Sequence, residues 1–164
     1  MKVSWIKVSG ATRYKVYRNN KLIFTTSALV VTDKDVKYKG GSKYTYKVVA
    51  TEKNTGDSDL YKTGTYYRLM SVGIKSLTNS SAGSMTVTYD KSSGSSGYVV
   101  RYGLKKDMSD AKVITVQGQN NLSRTFGGMK KGKTYYVQVR TYKLDNGVRY
   151  YSGYCTTKTI TIRK

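Results

Sequence analysis

Acidic side chains are the first candidates for chemistry in this 164-residue chain, because two carboxylates held together can act as general acid and base. Asp33 and Asp35 lie two residues apart, as do Asp57 and Asp59. Both pairs fall in polar, turn-like segments, where carboxylates usually bond to nearby backbone N–H groups. The stretch NTGDSD, residues 54–59, lacks the spacing and the final glutamate of a calcium loop. We therefore interpret these acids as turn and cap residues.

Other catalytic groups are scarce in the sequence. The chain contains no histidine, which removes the commonest general base and the commonest metal ligand. Its single cysteine, Cys155, cannot form an intrachain disulfide, and we expect it to be a small buried residue of a strand. The sequence thus predicts no enzymatic activity, no metal site and no cofactor.

Aromatic and basic side chains are better candidates, and the chemistry they suit is binding. Tyrosines beside arginines on a surface suit sugars, acidic polymers or protein hot spots. The alternative is that they cover an exposed sheet through cross-strand pairing. The candidate binding residues lie on one face of a predicted strand and in the segment that follows its hairpin: Tyr136, Arg140, Tyr142, Arg149, Tyr150, Tyr151 and Tyr154.

The net charge narrows the class of partner. Lysine and arginine number 30 against 9 acidic residues, which gives a net charge of +21. Such a surface attracts polyanions, so we expect anionic cell-wall polymer, glycan or host protein as partners. Nucleic acid is not expected, because no sequence-reading motif accompanies the charge. The alternative is that lysine only keeps the strand surfaces soluble and their edges unpaired.

Hydrophobic residues at every second position indicate the elements that must position these side chains. Tyr14 alternates with Val16, Tyr98 with Val100, and Tyr135 with Val137. This period is typical of half-buried antiparallel strands, and no long segment keeps a helical stripe. The segments 54–56 and 145–147, Asn-Thr-Gly and Asp-Asn-Gly, have the composition of hairpin loops. The chain is predicted to be all-β, without a membrane span.

The same pattern occurs twice along the chain. VSWIKVSGATRYKVYR, residues 3–18, aligns with VTYDKSSGSSGYVVRY, residues 87–102, at an offset of 87 − 3 = 84. KGGSKYTYKVVATEK, residues 39–53, aligns with KKGKTYYVQVRTYK, residues 130–143, at an offset of 132 − 41 = 91 between Gly41 and Gly132. Insertions between strands explain the larger second offset. The sequence predicts two copies of one domain, residues 1–69 and 70–164.

The order of these features resembles the fibronectin type III domain. An aromatic residue on the second strand, Trp5 or Tyr89, is followed by a YxVxY-like strand and a Gly-x-x-Tyr element with Tyr44 or Tyr135. The resemblance implies two tandem immunoglobulin-like sandwiches. It also implies that Tyr44 and Tyr135 are tyrosine corners, whose hydroxyls bond to backbone a few residues upstream. The chain departs from the family in having no proline.

The lysine-rich copies look like those of secreted and wall-associated proteins of Gram-positive bacteria. That resemblance implies an extracellular or cell-wall location and a non-catalytic structural or adhesive function as a semi-rigid spacer. Two alternatives remain: a specific glycan- or host-protein-binding module, and an accessory domain of a secreted hydrolase.

The first copy lacks its N-terminal strand. It begins with the strand that is second in the other copy, where GIKSLTNSSAG, residues 73–83, supplies the first. We expect a two-stranded sheet with an open edge, either exposed or covered by a strand from another chain. A fragment boundary is the other explanation.

Overall fold

The chain folds entirely into strands and loops in a computed structural model that describes residues 1–36, 41–52 and 56–164. It divides into two compact units, Met1–Tyr67 and Arg68–Lys164. The strands in chain order are β1 (Lys2–Ser4), β2 (Arg13–Arg18), β3 (Lys21–Thr26), β4 (Val30–Thr32), β5 (Ser42–Glu52), β6 (Gly56–Arg68), β7 (Ile74–Thr78), β8 (Met85–Tyr89), β9 (Gly97–Gly103), β10 (Lys112–Gln117), β11 (Ser123–Phe126), β12 (Thr134–Asp145), β13 (Val148–Tyr151) and β14 (Lys158–Thr161).

The second unit is a sandwich of two antiparallel sheets. One sheet has the strand order β11-β8-β7, and the other has β10-β9-β12 with β13 and β14 both paired to β12. Alternate residues of both sheets point inward, as the period-two sequence requires. They form one core in which eight side chains are fully inaccessible to solvent: Met85, Val87, Tyr89, Tyr98, Val100, Val137, Val139 and Ile162.

The first unit has a similar arrangement, with six strands among its described residues where the second unit has eight. Its sheets have the orders β1-β4 and β3-β2-β5-β6. The ring of Trp5, just after β1, lies 5.5 Å from the ring of Tyr14 on β2. This contact joins the two sheets. The predicted fold class is therefore confirmed: an all-β chain of two tandem immunoglobulin-like sandwiches, the first with a two-stranded sheet in its described residues.

Each unit also contains an equivalent hydrogen bond between a loop and a tyrosine of the core. In the first, the backbone N–H of Val8 donates to the Tyr14 hydroxyl at 3.0 Å. In the second, the backbone N–H of Ser92 donates to the Tyr98 hydroxyl at 3.1 Å. The two hydrogen bonds are equivalent, because the offset of 84 found in the sequence relates Val8 to Ser92 and Tyr14 to Tyr98. The buried tyrosines thus satisfy loop donors while filling the core.

One predicted hairpin can be checked in the structure. Asn146 and Gly147 have φ angles of 46° and 78° and connect β12 to β13 as a tight two-residue turn. Positive φ at both positions is the geometry that Asn-Gly favours, so this prediction is confirmed. The hairpin predicted at 54–56 falls partly on residues 53–55, which lie outside the described residues.

The cores of the two units differ at one pair of equivalent positions. In the second unit, the Phe126 ring packs 4.7 Å from the Tyr102 ring. The equivalent residues of the first unit are Arg18, at the offset of 102 − 18 = 84, and Asp33, at an offset of 126 − 33 = 93. The second offset follows from strand register, because Val31 lies opposite Val3 as Arg124 lies opposite Val87. An aromatic contact in one sandwich is therefore replaced by an ion pair in the other.

The ion pair lies in a polar network at the end of β4. The Arg18 Nη1 atom lies 2.9 and 2.8 Å from the two carboxylate oxygens of Asp33, whose side chain is buried. The Tyr46 hydroxyl donates to the same carboxylate at 2.9 Å, and the Asp35 backbone N–H donates at 3.0 Å. Burial and the bond to Asp33 raise the pKa of Tyr46. Asp33 does accept a turn hydrogen bond from the Asp35 N–H, but its ion pair with Arg18 is not evident from the sequence.

Candidate binding surface of the second unit

The candidate binding residues centre on the outer face of the β9-β12 pair. Tyr135, Val137, Val139 and Thr141 point into the core, so the intervening residues of β12 point outward. The register places Arg101 of β9 opposite Gln138. Strand β13 and the chain that follows it bring two further tyrosines, Tyr151 and Tyr154, over this face.

Three arginines and three tyrosines form a continuous series of contacts on this face, and we name them the Arg–Tyr ladder: Arg101, Arg140, Arg149, Tyr142, Tyr151 and Tyr154. The Tyr154 ring lies between two guanidinium groups, 3.9 Å from the Arg101 Cζ atom and 4.5 Å from the Arg140 Cζ atom. The Arg140 Cζ atom is also 3.9 Å from the Tyr151 ring. These distances are well within the range of cation–π attraction.

Hydrogen bonds fix one end of the ladder. The Arg101 Nε atom donates to the Gln138 Oε1 atom at 2.7 Å, and the Gln138 Nε2 atom donates to the Thr157 hydroxyl at 2.6 Å. The Arg140 Nε atom is buried and has no hydrogen-bond partner among the described residues. Stacking holds Arg140, whereas stacking and hydrogen bonding together hold Arg101.

Tyr142 is the buried member of the ladder. Its side chain is only 3% exposed, although alternation places it on the outer face. The reason is its neighbour Gly97 on β9, which has no side chain, so the tyrosine ring occupies the space. A Cβ atom on Gly97 would lie 2.9 Å from the Tyr142 Cε1 atom. The Arg149 Cζ atom and the Tyr151 ring lie 5.5 and 6.4 Å from the Tyr142 ring.

The stacking determines what the arginines can bind. A guanidinium group stacks through its faces but donates hydrogen bonds in its own plane. The ring contacts therefore leave in-plane donors for carboxylate, sulfate or phosphate oxygens. Because the side chains are already ordered, such binding loses less rotamer entropy than binding by free arginines.

Two of the predicted binding residues lie outside the ladder, and one ladder member was not predicted. Tyr150 pairs with Lys143, one residue out of phase with the Tyr142–Tyr151 pair. Tyr136 is half-buried on β12, where Gln138 separates it from the ladder. Arg101 was missed because it lies about 40 residues earlier, although its alternation with Val100 and Tyr102 indicates an outward position.

Two of the four predicted structural aromatics, Tyr89 and Tyr135, occupy core positions. The Tyr135 hydroxyl accepts a hydrogen bond from the Lys130 backbone N–H at 3.0 Å, five residues upstream. The Tyr89 hydroxyl donates to the Asn121 carbonyl oxygen at 3.0 Å, and burial raises the pKa of Tyr89 to about 12. Trp5 and Tyr44 are half-buried. The backbone just upstream of Tyr44, residues 37–40, lies outside the described residues.

Asp110 and Cys155 lie in loops of the second unit. The Leu104 backbone N–H donates to Asp110 at 2.8 Å, and that hydrogen bond lowers the pKa of Asp110. Cys155 was expected within a strand, which is wrong: it lies between β13 and β14, where its Sγ atom accepts from the Val139 N–H at 3.2 Å. Over the described ranges, no three metal-ligating side chains cluster. Nor do those ranges contain a helix long and apolar enough to span a bilayer.

Comparison with known proteins finds similar solved structures but no matching family model or curated sequence. No protein-family model matches the chain, and no curated protein matches it. The chicken CNTN1 FN1-FN3 domains share 19% identity over 99% of this chain and 62% of theirs, with a TM-score of 0.49. The chain thus spans less than two-thirds of that structure.

Two further solved structures are similar. A segment of two fibronectin type III domains from chicken tenascin shares 19% identity over 98% of this chain and 90% of its own, with a TM-score of 0.48. A computationally redesigned β-sandwich protein shares 22% identity over 58% of this chain and 92% of its own, with a TM-score of 0.47.

Proposed function

We propose that this chain is a non-catalytic structural and adhesive module of a secreted bacterial surface protein. It serves as a spacer at the cell wall, and its basic surface holds anionic wall polymer. The observation that carries the proposal is the charge: 30 basic residues against 9 acidic ones on a chain of 164. Averaged over the two units, this net charge exceeds the magnitude of about 2 to 8 that suits the solubility of a small domain.

The mechanism is electrostatic and distributed. Each polymer phosphate or carboxylate bound to a lysine or arginine releases condensed counterions, as in the binding of other polyanions. The arginines of the ladder contribute as ordered members of the same basic surface. The two sandwiches act as a scaffold, because each buries apolar side chains of its own.

A second candidate function is favoured by the ladder itself. Six side chains ordered by stacking, with one hydrogen-bonded end, form a shaped surface rather than a diffuse charge. Such a surface suits a specific anionic glycan or an acidic segment of a host protein. This function differs from the first in one measurable respect: affinity would depend on the ladder more than on charge elsewhere.

Two charge-matched double variants distinguish these functions. Arg101→Gln with Arg140→Gln removes two charges from the ladder, and Lys105→Gln with Lys106→Gln removes two from an exposed loop. For binding to purified poly(glycerol phosphate) teichoic acid, we expect both double variants to lose affinity equally, by roughly threefold to tenfold. Isothermal titration calorimetry at low salt measures the loss.

Two results would change the conclusion. If the wild-type chain does not bind the polymer, the proposed function is wrong. If the arginine variant alone loses binding, and the wild type keeps its affinity at high salt, the ladder is a specific site and the second function holds. Tyr142→Ala is a poorer test, because its buried ring supports the sheet.

A further inference from the structure

Strand β10 is the outermost strand of its sheet in the second unit. It pairs with β9 on one side and with no other strand among the described residues. The pairing runs from Lys112 to Gln117 without a register shift, so the edge is regular over 6 residues. A regular edge presents backbone donors and acceptors to a further strand.

Other edge strands carry features that hinder such pairing. Strand β3 holds the equivalent place in the first unit, and its pairing with β2 shifts register between Val16 and Tyr17. Strand β11, an edge of the second unit's other sheet, has Arg124 opposite the core residue Val87. Register irregularities and charges on the inner face both protect an edge from pairing. Strand β10 has neither feature.

The β10 edge also carries little charge. Residues 113–123 contain no charged side chain, although 30 + 9 = 39 of the 164 residues are charged. Val113, opposite Arg101 on the outer face, is 57% exposed, and Ile114 is half-buried against the core on the inner face. Two chains of net charge +21 repel each other, so they approach most closely where their surfaces are uncharged. The β10 edge therefore suits a second copy of the same chain.

The pairing with β9 determines which backbone groups face the free edge. The Gly118 N–H donates to the Ser96 carbonyl oxygen at 2.9 Å, across the end of the same strand pair. Hydrogen-bonded and non-hydrogen-bonded pairs alternate in an antiparallel ladder, so the even-numbered residues of β10 bond to β9. The N–H and C=O groups of Val113 and Thr115 therefore face outward. The outward carbonyl oxygen of Gln117 already accepts a side-chain hydrogen bond.

We propose that two copies of this chain associate through β10, with the two strands antiparallel and centred on Ile114. This register pairs Val113 of each copy with Thr115 of the other, so backbone hydrogen bonds use the free donor and acceptor of both residues. It places Ile114 against Ile114 beside the core. It also places Lys112 opposite Val116, so the two lysines lie at opposite ends of the paired strands. The inference goes beyond polymer binding and does not rest on it.

Salt should strengthen this association. A single strand pair buries little surface, so the dimer is weak. Repulsion between the two cationic chains weakens it further, and salt screens that repulsion. We expect the Kd of the dimer to fall by at least about threefold between about 50 and 500 mM salt, the opposite of the salt dependence of polymer binding.

Sedimentation velocity measures the association on the full chain without polymer, at concentrations up to about 1 mM. Val113→Lys sets like charges diagonally across the dimer, about 7–8 Å apart, and should raise the Kd by about threefold to tenfold. Val148→Lys is the matched control, because it makes the same change at a 52% exposed residue of the β12–β13 hairpin, and its Kd should stay within about twofold. A mixture of Val113→Lys and Val113→Glu chains should associate more tightly than either variant alone.

A cysteine variant tests the register. Ile114→Cys brings two thiols to a non-hydrogen-bonded pair, whose Cα atoms lie about 4.5 Å apart, so oxidised glutathione should cross-link the dimer. Gln117→Cys is the control, because its two copies lie about 20 Å apart along the paired strands. The wild-type chain, which has Cys155 alone, gives the background of cross-linking.

Three results would overturn the proposal: no concentration-dependent association at high salt, equal effects of Val113→Lys and Val148→Lys, or equal cross-linking of the two cysteine variants. A chain that stays monomeric, but whose β10 amide signals shift when the peptide KVITVQ is added, would show that a strand of other origin occupies the edge. Because no polymer is present, failure of polymer binding would not affect these results.

Discussion

Replacing Asp33 with alanine should destabilise the first unit by about 3–5 kcal/mol, the cost of leaving one member of a buried ion pair without its partner. The substitution removes the acceptor of Arg18 and of the Tyr46 hydroxyl, both within 2.9 Å. Guanidinium denaturation followed by Trp5 emission measures this unit selectively, because the chain has one tryptophan.

The neighbouring aspartate provides a matched control. Asp35→Ala makes the same charge change two residues away, at an exposed side chain, and keeps the backbone N–H that donates to Asp33. Its effect should stay within about 0.5 kcal/mol. Equal effects of the two substitutions would show that the ion pair contributes nothing specific to stability.

A triple substitution tests whether the stability of the first unit requires the ion pair. Arg18→Tyr, Asp33→Phe and Tyr46→Val install the residues found at the equivalent positions of the second unit, namely Tyr102, Phe126 and Val137. Well-packed apolar residues often match or exceed a buried ion pair in stability, so the triple variant should recover most of the loss seen with Asp33→Ala. A triple variant as unstable as Asp33→Ala would show that the two cores are not interchangeable.

Gly97→Ala should destabilise the second unit by about 3 kcal/mol or more, through strained backbone and overpacking together. Gly97 has a φ angle of 155°, and a Cβ atom there would lie 2.2 Å from the Val116 carbonyl oxygen. That oxygen belongs to the backbone of β10, so it cannot move without disturbing the sheet. The Tyr142 ring would also be displaced, and the ladder with it.

Gly127→Ala is the control in the same unit, because a Cβ atom there meets nothing within 4 Å. It should change stability by less than about 1 kcal/mol. Amide NMR signals of β9 and β12 during denaturation report the second unit separately from Trp5. A loss below about 1 kcal/mol for Gly97→Ala would contradict the packing described for Tyr142.

Much of the fold could be predicted because the sequence repeats its pattern. Alternation of Tyr135, Val137 and Val139 indicates a half-buried strand, and Asn146-Gly147 indicates its hairpin. The ion pair of Asp33 could not be predicted in this way. Its burial depends on long-range contacts with β2 and β5, whereas local composition indicates only a turn.

The candidate binding surface was predicted only in part for a similar reason. Alternation within β12 finds Arg140, but stacking depends on which strand lies beside it. The register of β9 brings in Arg101 and places Gly97 under Tyr142, which turns an expected surface tyrosine into a buried support. Cross-strand register is not visible in a single strand's sequence.

Salt dependence tests the central claim, that a cationic exterior binds anionic polymer, most directly. The wild-type chain is titrated with poly(glycerol phosphate) and with an uncharged glycan between about 50 and 200 mM salt. We expect affinity for the anionic polymer to fall roughly tenfold or more over this range, with little binding to the neutral glycan. Affinity that is unchanged by salt, or equal for the two polymers, would contradict the claim.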